Sequence, residues 1–508
     1  MVSLSPPFNE VEAKICTRMK KSIVVLLCLI SCHLFAQDGE NNPELSVTRH
    51  SLTIDGKAFS YIATTGYMDM RDEQGKLRAN VFFTAYTKAG VKDLSKRSIT
   101  YTFNGGPGSS SVWLHMGGLG PKKVKLAEDG NVLPPPYQYE DNPETWLDET
   151  DLVFIDPMMT GYTRPGEGVD KKEFLGYQQD LELVGDFIRL YTSRYKRWGS
   201  PKFLAGESYG TTRAAGLSGY LQDRHGLYIN GIMLISAVLD FSTIRDYHAN
   251  DLSPLLRLPS FAATSWYHKK ANPKYKDLKA FLEEVETFTL NDYALALLKG
   301  DLLTTDERQT IIDRLHDYTG LSKRYIDQTN LRFTVGRYNK ELLRDQKETV
   351  GRLDSRFKGY DYDEAGERYE FDPSYNGVIY GPFTAVLNDH LRKNLGFESD
   401  LPYEILTGRA RPWDYSNVQN RFLNVAETLR NAMTKNPYLK VWVANGYYDL
   451  ATPYFATEYV FNHMFLKGDL KDNVTMTYYE AGHMVYIHMP ALKQMKKDLS
   501  QFIQSATP

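Results

Sequence analysis

One segment constrains the fold more than any other. Residues 202–216 read "KFLAGESYGTTRAAG": an apolar run enters Gly206, Ser208 and Gly210 in G-x-S-x-G spacing, and a helical pattern continues from them. A strand that turns this sharply into a helix brings backbone so close to backbone that larger side chains would clash at the two glycine positions. The serine between them is then held at the tip of the turn, where its hydroxyl is available as a nucleophile. The plainer alternative is a serine that simply opens a helix.

The rest of the chain supplies the sheet that such a turn needs. "SLTIDGKAFSYIATTGYM" and "RANVFFTAYTKAG" alternate apolar and polar residues, which predicts an antiparallel entry to a sheet. Compact apolar runs follow at 98–103, 150–156, 202–206, 229–236, 440–445 and 473–479. Between several of them lie helical patterns such as "FLGYQQDLELVGDFIRLYTSRY". That alternation predicts an α/β fold with a largely parallel central sheet and helices on both faces. From 241 to 404 the pattern becomes helical and charged, as in "KDLKAFLEEVETF" and "ERQTIIDRLHDYTG", which predicts a helical cap inserted into the sheet domain. The core then has two segments, 37–240 and 405–508. A chain of 508 residues exceeds what one simple core holds, consistent with a domain carrying an insertion.

Residues 1–36 read as a leader. "MKKSIVVLLCLISCHLFAQ" has a start methionine, Met19, two lysines, an apolar run too short to span a bilayer, and Ala36 as a cleavage residue. This predicts an exported protein, periplasmic or secreted, that begins at Gln37 and has no transmembrane segment once mature. "LISC" offers the alternative of lipid anchoring at Cys32. All three cysteines, Cys16, Cys28 and Cys32, fall in the leader, so disulfides and thiolate chemistry are excluded from the mature chain. A net charge of −3 gives no electrostatic reason to bind nucleic acid or an anionic membrane surface.

A serine nucleophile needs a base, and the base needs a group to orient it. In strand-turn-helix hydrolases these follow the serine in the order acid, then histidine, each after a strand. "KVWVANGYYDLATP" places Asp449 after one strand and "NVTMTYYEAGHMV" places His483 after the next. Asp472 and His488 are the rival acid and base, the first in the turn before its strand, the second five residues beyond His483. A strand ending in "NGGPG", residues 104–108, presents unobstructed backbone N–H groups suited to a developing oxyanion. It lacks the lysine and Ser/Thr ending of a phosphate loop.

Together, "NGGPGSSS", "AGESYG", the aspartate after "VWVANG", "AGHMV" and "NPETWLDETDLVFIDPMMTGYT" resemble the serine carboxypeptidase family, in the family's order and over nearly the whole mature chain. The resemblance implies an α/β-hydrolase fold with an inserted cap, and removal of C-terminal residues from peptide substrates at acidic pH without metal or cofactor. It implies Ser208 as nucleophile, His483 as base and Asp449 as orienter. The N–H groups of Gly106 and Tyr209 would form the oxyanion hole; Asn104, Gly105 and Glu207 would hold the substrate's terminal carboxylate. An esterase or acyltransferase using the same three residues is the alternative, and a silent peptide-binding protein a more remote one.

Three departures stand out. "PGSSS" replaces the family's "PGCSS", in line with a cysteine-free mature chain. Gly117 and Gly118 stand where many members carry a glutamate that pairs with the one before the nucleophile. Without it, Glu207 is expected to lose its proton at lower pH than is usual for the family. Tyr486 replaces a proline after "GHMV" and is expected to reshape that loop without touching the base.

Overall fold

The computed structural model describes Met1, Val2 and residues 45–507. Residues 3–36 of the leader, its cleavage site and the three cysteines therefore lie outside the described residues.

The sheet begins with three antiparallel strands, β1 (Ser46–Ile54), β2 (Lys57–Arg71) and β3 (Leu77–Lys88). Half-buried or buried residues alternate with exposed ones in β1, and buried with half-buried ones through much of β2, as the sequence alternation requires. β4 (Ser98–Phe103), β5 (Thr150–Ile155), β6 (Lys202–Ser208), β7 (Gly231–Ala237), β8 (Lys440–Gly446) and β9 (Val474–Tyr479) follow. The order across the sheet is β1-β2-β3-β5-β4-β6-β7-β8-β9, with the short strand Arg164–Pro165 paired to β3. β5 runs antiparallel to β3, and from β5 to β9 every neighbour is parallel.

Every residue of β4, β5 and β7 is buried. Burial of both faces along the whole strand is what a parallel sheet covered on both sides demands. Successive residues of one strand accordingly enter two different apolar clusters. Leu204, Ile232 and Leu234 join the side that carries α1 (Tyr177–Arg194) and α2 (Tyr209–His225). Phe203, Ala205, Met233 and Ile235 join the side that carries α9 (Met489–Ala506).

The residues between β7 and β8 are mainly helical. α3 (Leu252–Tyr267), α4 (Leu278–Phe288) and α5 (Thr305–Thr319) share a third apolar cluster with Tyr448, Leu450 and Tyr454. These last residues flank Asp449, so the helical layer adjoins one of the loops that carry the site. α6 (Tyr380–Lys393) differs: Phe383, Val386, Leu387 and Leu391 are buried in the same cluster as α9 and one face of the sheet. After α6 the chain returns to the sheet's end. Ser110 N–H donates to the Ile405 carbonyl at 2.8 Å and Thr407 N–H to the Gly108 carbonyl at 2.9 Å, pinning residues 405–407 along the glycine loop. α7 (Ala426–Lys435) and α8 (Tyr454–Asn462) complete the labelled elements.

Candidate active site

Ser208 ends β6 and caps α2 with φ 60° and ψ −128°, a backbone conformation rare for a residue with a side chain. The flanking glycines show what the turn excludes. A Cβ on Gly206 would lie 2.1 Å from the Gly210 carbonyl oxygen, and one on Gly210 would lie 2.6 Å from the Phe103 carbonyl oxygen. Both contacts are with backbone, so neither position accepts a larger residue without moving the strands. The bend leaves Ser208 half-buried on the wall of a cleft of about 600 Å³.

Asp449 lies three residues beyond the end of β8 and His483 four beyond the end of β9. His483 Nδ1 and Asp449 Oδ2 are 2.7 Å apart, and both side chains are buried. Asp449 also accepts from the N–H groups of Ala451 at 2.7 Å and Thr452 at 3.0 Å, and from the Thr452 hydroxyl at 2.7 Å. These donors fix the carboxylate in place behind the imidazole. Burial alone would disfavour the imidazolium, but Asp449 beside it outweighs that, and the His483 pKa is raised. His483 lines the same cleft as Ser208, although the Ser208 hydroxyl does not hydrogen-bond to the ring.

The glycine loop lies directly against the Ser208 turn. A Cβ on Gly105 would meet the Tyr209 backbone nitrogen at 2.4 Å, so this approach requires glycine. Gly106 has φ 104°, again a conformation that suits glycine, and lines the cleft with Gly105 and Tyr209. Asn104 is buried: its Oδ1 accepts from Leu114 N–H at 3.0 Å and its carbonyl from Arg213 Nη1 at 2.7 Å. Arg213 in turn pairs with Asp180 at 2.7 Å, and both are buried. Its guanidinium sits 5.2 Å from the centre of the Phe103 ring and 5.4 Å from that of Tyr209.

Glu207 and Tyr486 are joined in a way the sequence does not show. With Gly117 and Gly118 supplying no second carboxyl, the sequence predicts that Glu207 loses its proton at lower pH than is usual for the family. In the structure, burial pushes its pKa up to about 7, with the Asp449 charge adding to the rise and His483, Tyr486 and Asn104 opposing it. Asn104 Nδ2 donates to one carboxyl oxygen at 3.0 Å, and the Tyr486 hydroxyl donates to the other. Tyr486 thus does more than reshape its loop. Its buried ring occupies the space beside the two glycines, where a Cβ on Gly117 would come 2.3 Å from the ring and one on Gly118 would come 2.6 Å from Tyr486 Cβ. Gly117 and Gly118 make room for a tyrosine whose hydroxyl reaches Glu207.

Asp472 is exposed in the helical turn before β9, and His488 stands at the N-cap of α9; neither is the partner of the buried pair. Sequence reasoning missed several supports. The Leu353 carbonyl accepts from His483 N–H at 2.6 Å, and Asp354 Oδ2 accepts from Gly482 N–H at 3.1 Å. The Ser236 hydroxyl donates to the His483 carbonyl at 2.6 Å. The Arg213–Asp180 pair left one trace in the sequence, a charged residue in the small-residue stretch "TTRAAG". Among the described residues no cluster of His, Cys, Asp or Glu is arranged to hold a metal.

A model of the family described as serine carboxypeptidase matches residues 55–495. Among solved structures, a prohormone-processing carboxypeptidase from Saccharomyces cerevisiae is similar at 16% identity and a TM-score of 0.55, covering 87% of this chain and 91% of that one. At that identity the likeness is one of fold. A carboxyl esterase from Bacillus coagulans aligns at 14% identity and a TM-score of 0.37, over 87% of this chain and 99% of that one. A proline iminopeptidase from Mycobacterium smegmatis aligns at 13% and 0.35, over 87% and 100%. A search of curated protein sequences returns no significant match.

Proposed function

The chain belongs to the serine carboxypeptidase family of hydrolases, and from that premise we propose that it removes C-terminal residues from peptides through an acyl-enzyme on Ser208. The observation that carries this reading is the buried Asp449–His483 bond opening into the cleft that Ser208 lines. Ser208 Oγ attacks the last peptide carbonyl while His483 Nε2 takes its proton. Asp449 holds the Nδ1–H tautomer and stabilises the imidazolium. Negative charge developing on the carbonyl oxygen is met by the N–H groups of Gly106 and Tyr209. His483 returns the proton to the departing amine, and water then resolves the acyl-enzyme by the same steps in reverse.

The exopeptidase character rests on Glu207. A C-terminal carboxylate brought against an ionised Glu207 would be repelled; brought against a protonated one it gains a hydrogen-bond donor. With its pKa raised to about 7, Glu207 carries that proton across the acidic range. Asn104 and Gly105 complete the proposed carboxylate site.

We also infer an exported enzyme. The leader composition of residues 1–36 supports this, and no helix among the described residues is long and apolar enough to cross a membrane.

The test is labelling with a fluorophosphonate probe followed by peptide mapping. The adduct is expected on Ser208 and is expected to vanish in His483→Ala. An adduct elsewhere, or none on a folded protein, would defeat the assignment.

A further inference from the structure

Three guanidinium groups line the cleft, and each is carried by a segment tied to a different part of the site. The Arg352 carbonyl accepts from Leu450 N–H at 3.1 Å, next to Asp449, and the carbonyl of its neighbour Leu353 holds His483 N–H. Arg411 follows residues 405–407, which are hydrogen-bonded to the glycine loop, and Ala410, whose Cβ a side chain on Gly108 would meet at 3.2 Å. Arg245 lies over the ring of Phe241, itself a cleft residue just beyond β7, at 5.4 Å.

Among the described residues, neither Arg245 nor Arg411 has a carboxylate within ion-pair distance. Arg352 has only Asp372, at 3.8 Å, and its side chain is 45% exposed. A lone exposed arginine is normally just solvated. Here three converge on one cleft where, among the described residues, the only acidic lining groups are Asp372 and Glu207, and Glu207 carries its proton in the acidic range. The wall facing a bound peptide is therefore cationic where the reaction is expected to run.

We propose that Arg245, Arg352 and Arg411 select peptides that carry an aspartate or glutamate side chain beside the scissile bond. This rests on the peptidase reading and names its substrate class. Each guanidinium is exposed, so each contributes little alone and is screened by salt. Acting together they are expected to favour glutamate over glutamine by about tenfold, a preference that salt should weaken.

Binding and turnover separate the two claims. Blocked tripeptides with a free C-terminus, differing only as Glu or Gln in the residue on either side of the scissile bond, would be titrated calorimetrically into the Ser208→Ala protein at pH 6. One Glu peptide is expected to bind about tenfold tighter than its Gln counterpart in dilute buffer. The ratio should shrink toward one in 0.5 M salt. It should also shrink in Arg245→Gln/Arg352→Gln/Arg411→Gln, and partly in Arg411→Gln alone should the triple variant not fold. Equal affinities at both positions, or a ratio indifferent to salt and to these substitutions, would overturn the proposal. Wild-type hydrolysis of the same peptides tests the reaction itself: if none is cleaved, the peptidase reading fails while the binding ratio still decides the role of the arginines.

Discussion

Replacing Glu207 by glutamine separates recognition of the C-terminus from the acyl-transfer chemistry. Glu207 and His483 titrate as a coupled pair, because the Glu207 carboxylate is one of the charges that raise the His483 pKa. The productive form for a free peptide has one proton on Glu207 and none on the imidazole. An amidated peptide needs only the neutral imidazole, so the ratio of kcat/KM for the free peptide to that for its amide cancels the His483 limb and reports Glu207 alone. With a pKa of about 7, Glu207 holds its proton in about nine molecules of ten at pH 6 and about one in ten at pH 8. The ratio should therefore fall close to tenfold over those two pH units. In Glu207→Gln the new side chain would still accept from Asn104 through its carbonyl oxygen, and its amide would donate to the Tyr486 oxygen or to the substrate. The alkaline fall should then disappear, leaving the ratio flat to pH 8. Product quantification by mass spectrometry from pH 5 to 9 gives both profiles. A ratio that is flat in wild type, or one that falls equally in Glu207→Gln, would refute the assignment of Glu207 to the carboxylate.

Tyr486→Phe keeps the ring against Gly117 and Gly118 but removes a hydrogen bond that favours the ionised Glu207, so the alkaline limb should move to higher pH for free peptides while amides keep their profile; an unmoved limb would leave Tyr486 a purely structural role. Arg213→Met strands Asp180 in the core without its partner and should lower stability by about 3–5 kcal/mol in urea unfolding, where a loss below about 1 kcal/mol would show that the pair does not hold the Asn104 loop. Mass spectrometry of protein from the producing cell should give Gln37 as the first residue, and a lipidated Cys32 would replace that reading with an anchored one.

The strands of the parallel sheet were readable because burial on both faces leaves contiguous apolar runs, and the order of Ser208, Asp449 and His483 was readable because each follows such a run. What escaped the sequence depends on contacts between distant segments. Tyr486 and Glu207 are 279 positions apart, and only the packing of the ring against Gly117 and Gly118 brings them together. The stretch 352–354 falls in the segment whose sequence reads as a helical cap and gives no hint of a catalytic neighbourhood, yet its backbone and Asp354 brace the His483 loop. The raised Glu207 pKa has the same origin: a missing partner carboxyl can be seen in the sequence, whereas burial deep enough to raise the pKa without one cannot.

The most direct test of exopeptidase acyl transfer on Ser208 is the mass spectrum of an unblocked peptide of a dozen residues after incubation with the protein, compared with Ser208→Ala. The account predicts a ladder of products shortened one residue at a time from the C-terminus, strongest at acidic pH and absent from the variant. Internal fragments, or an intact peptide beside rapid hydrolysis of a simple ester, would contradict it.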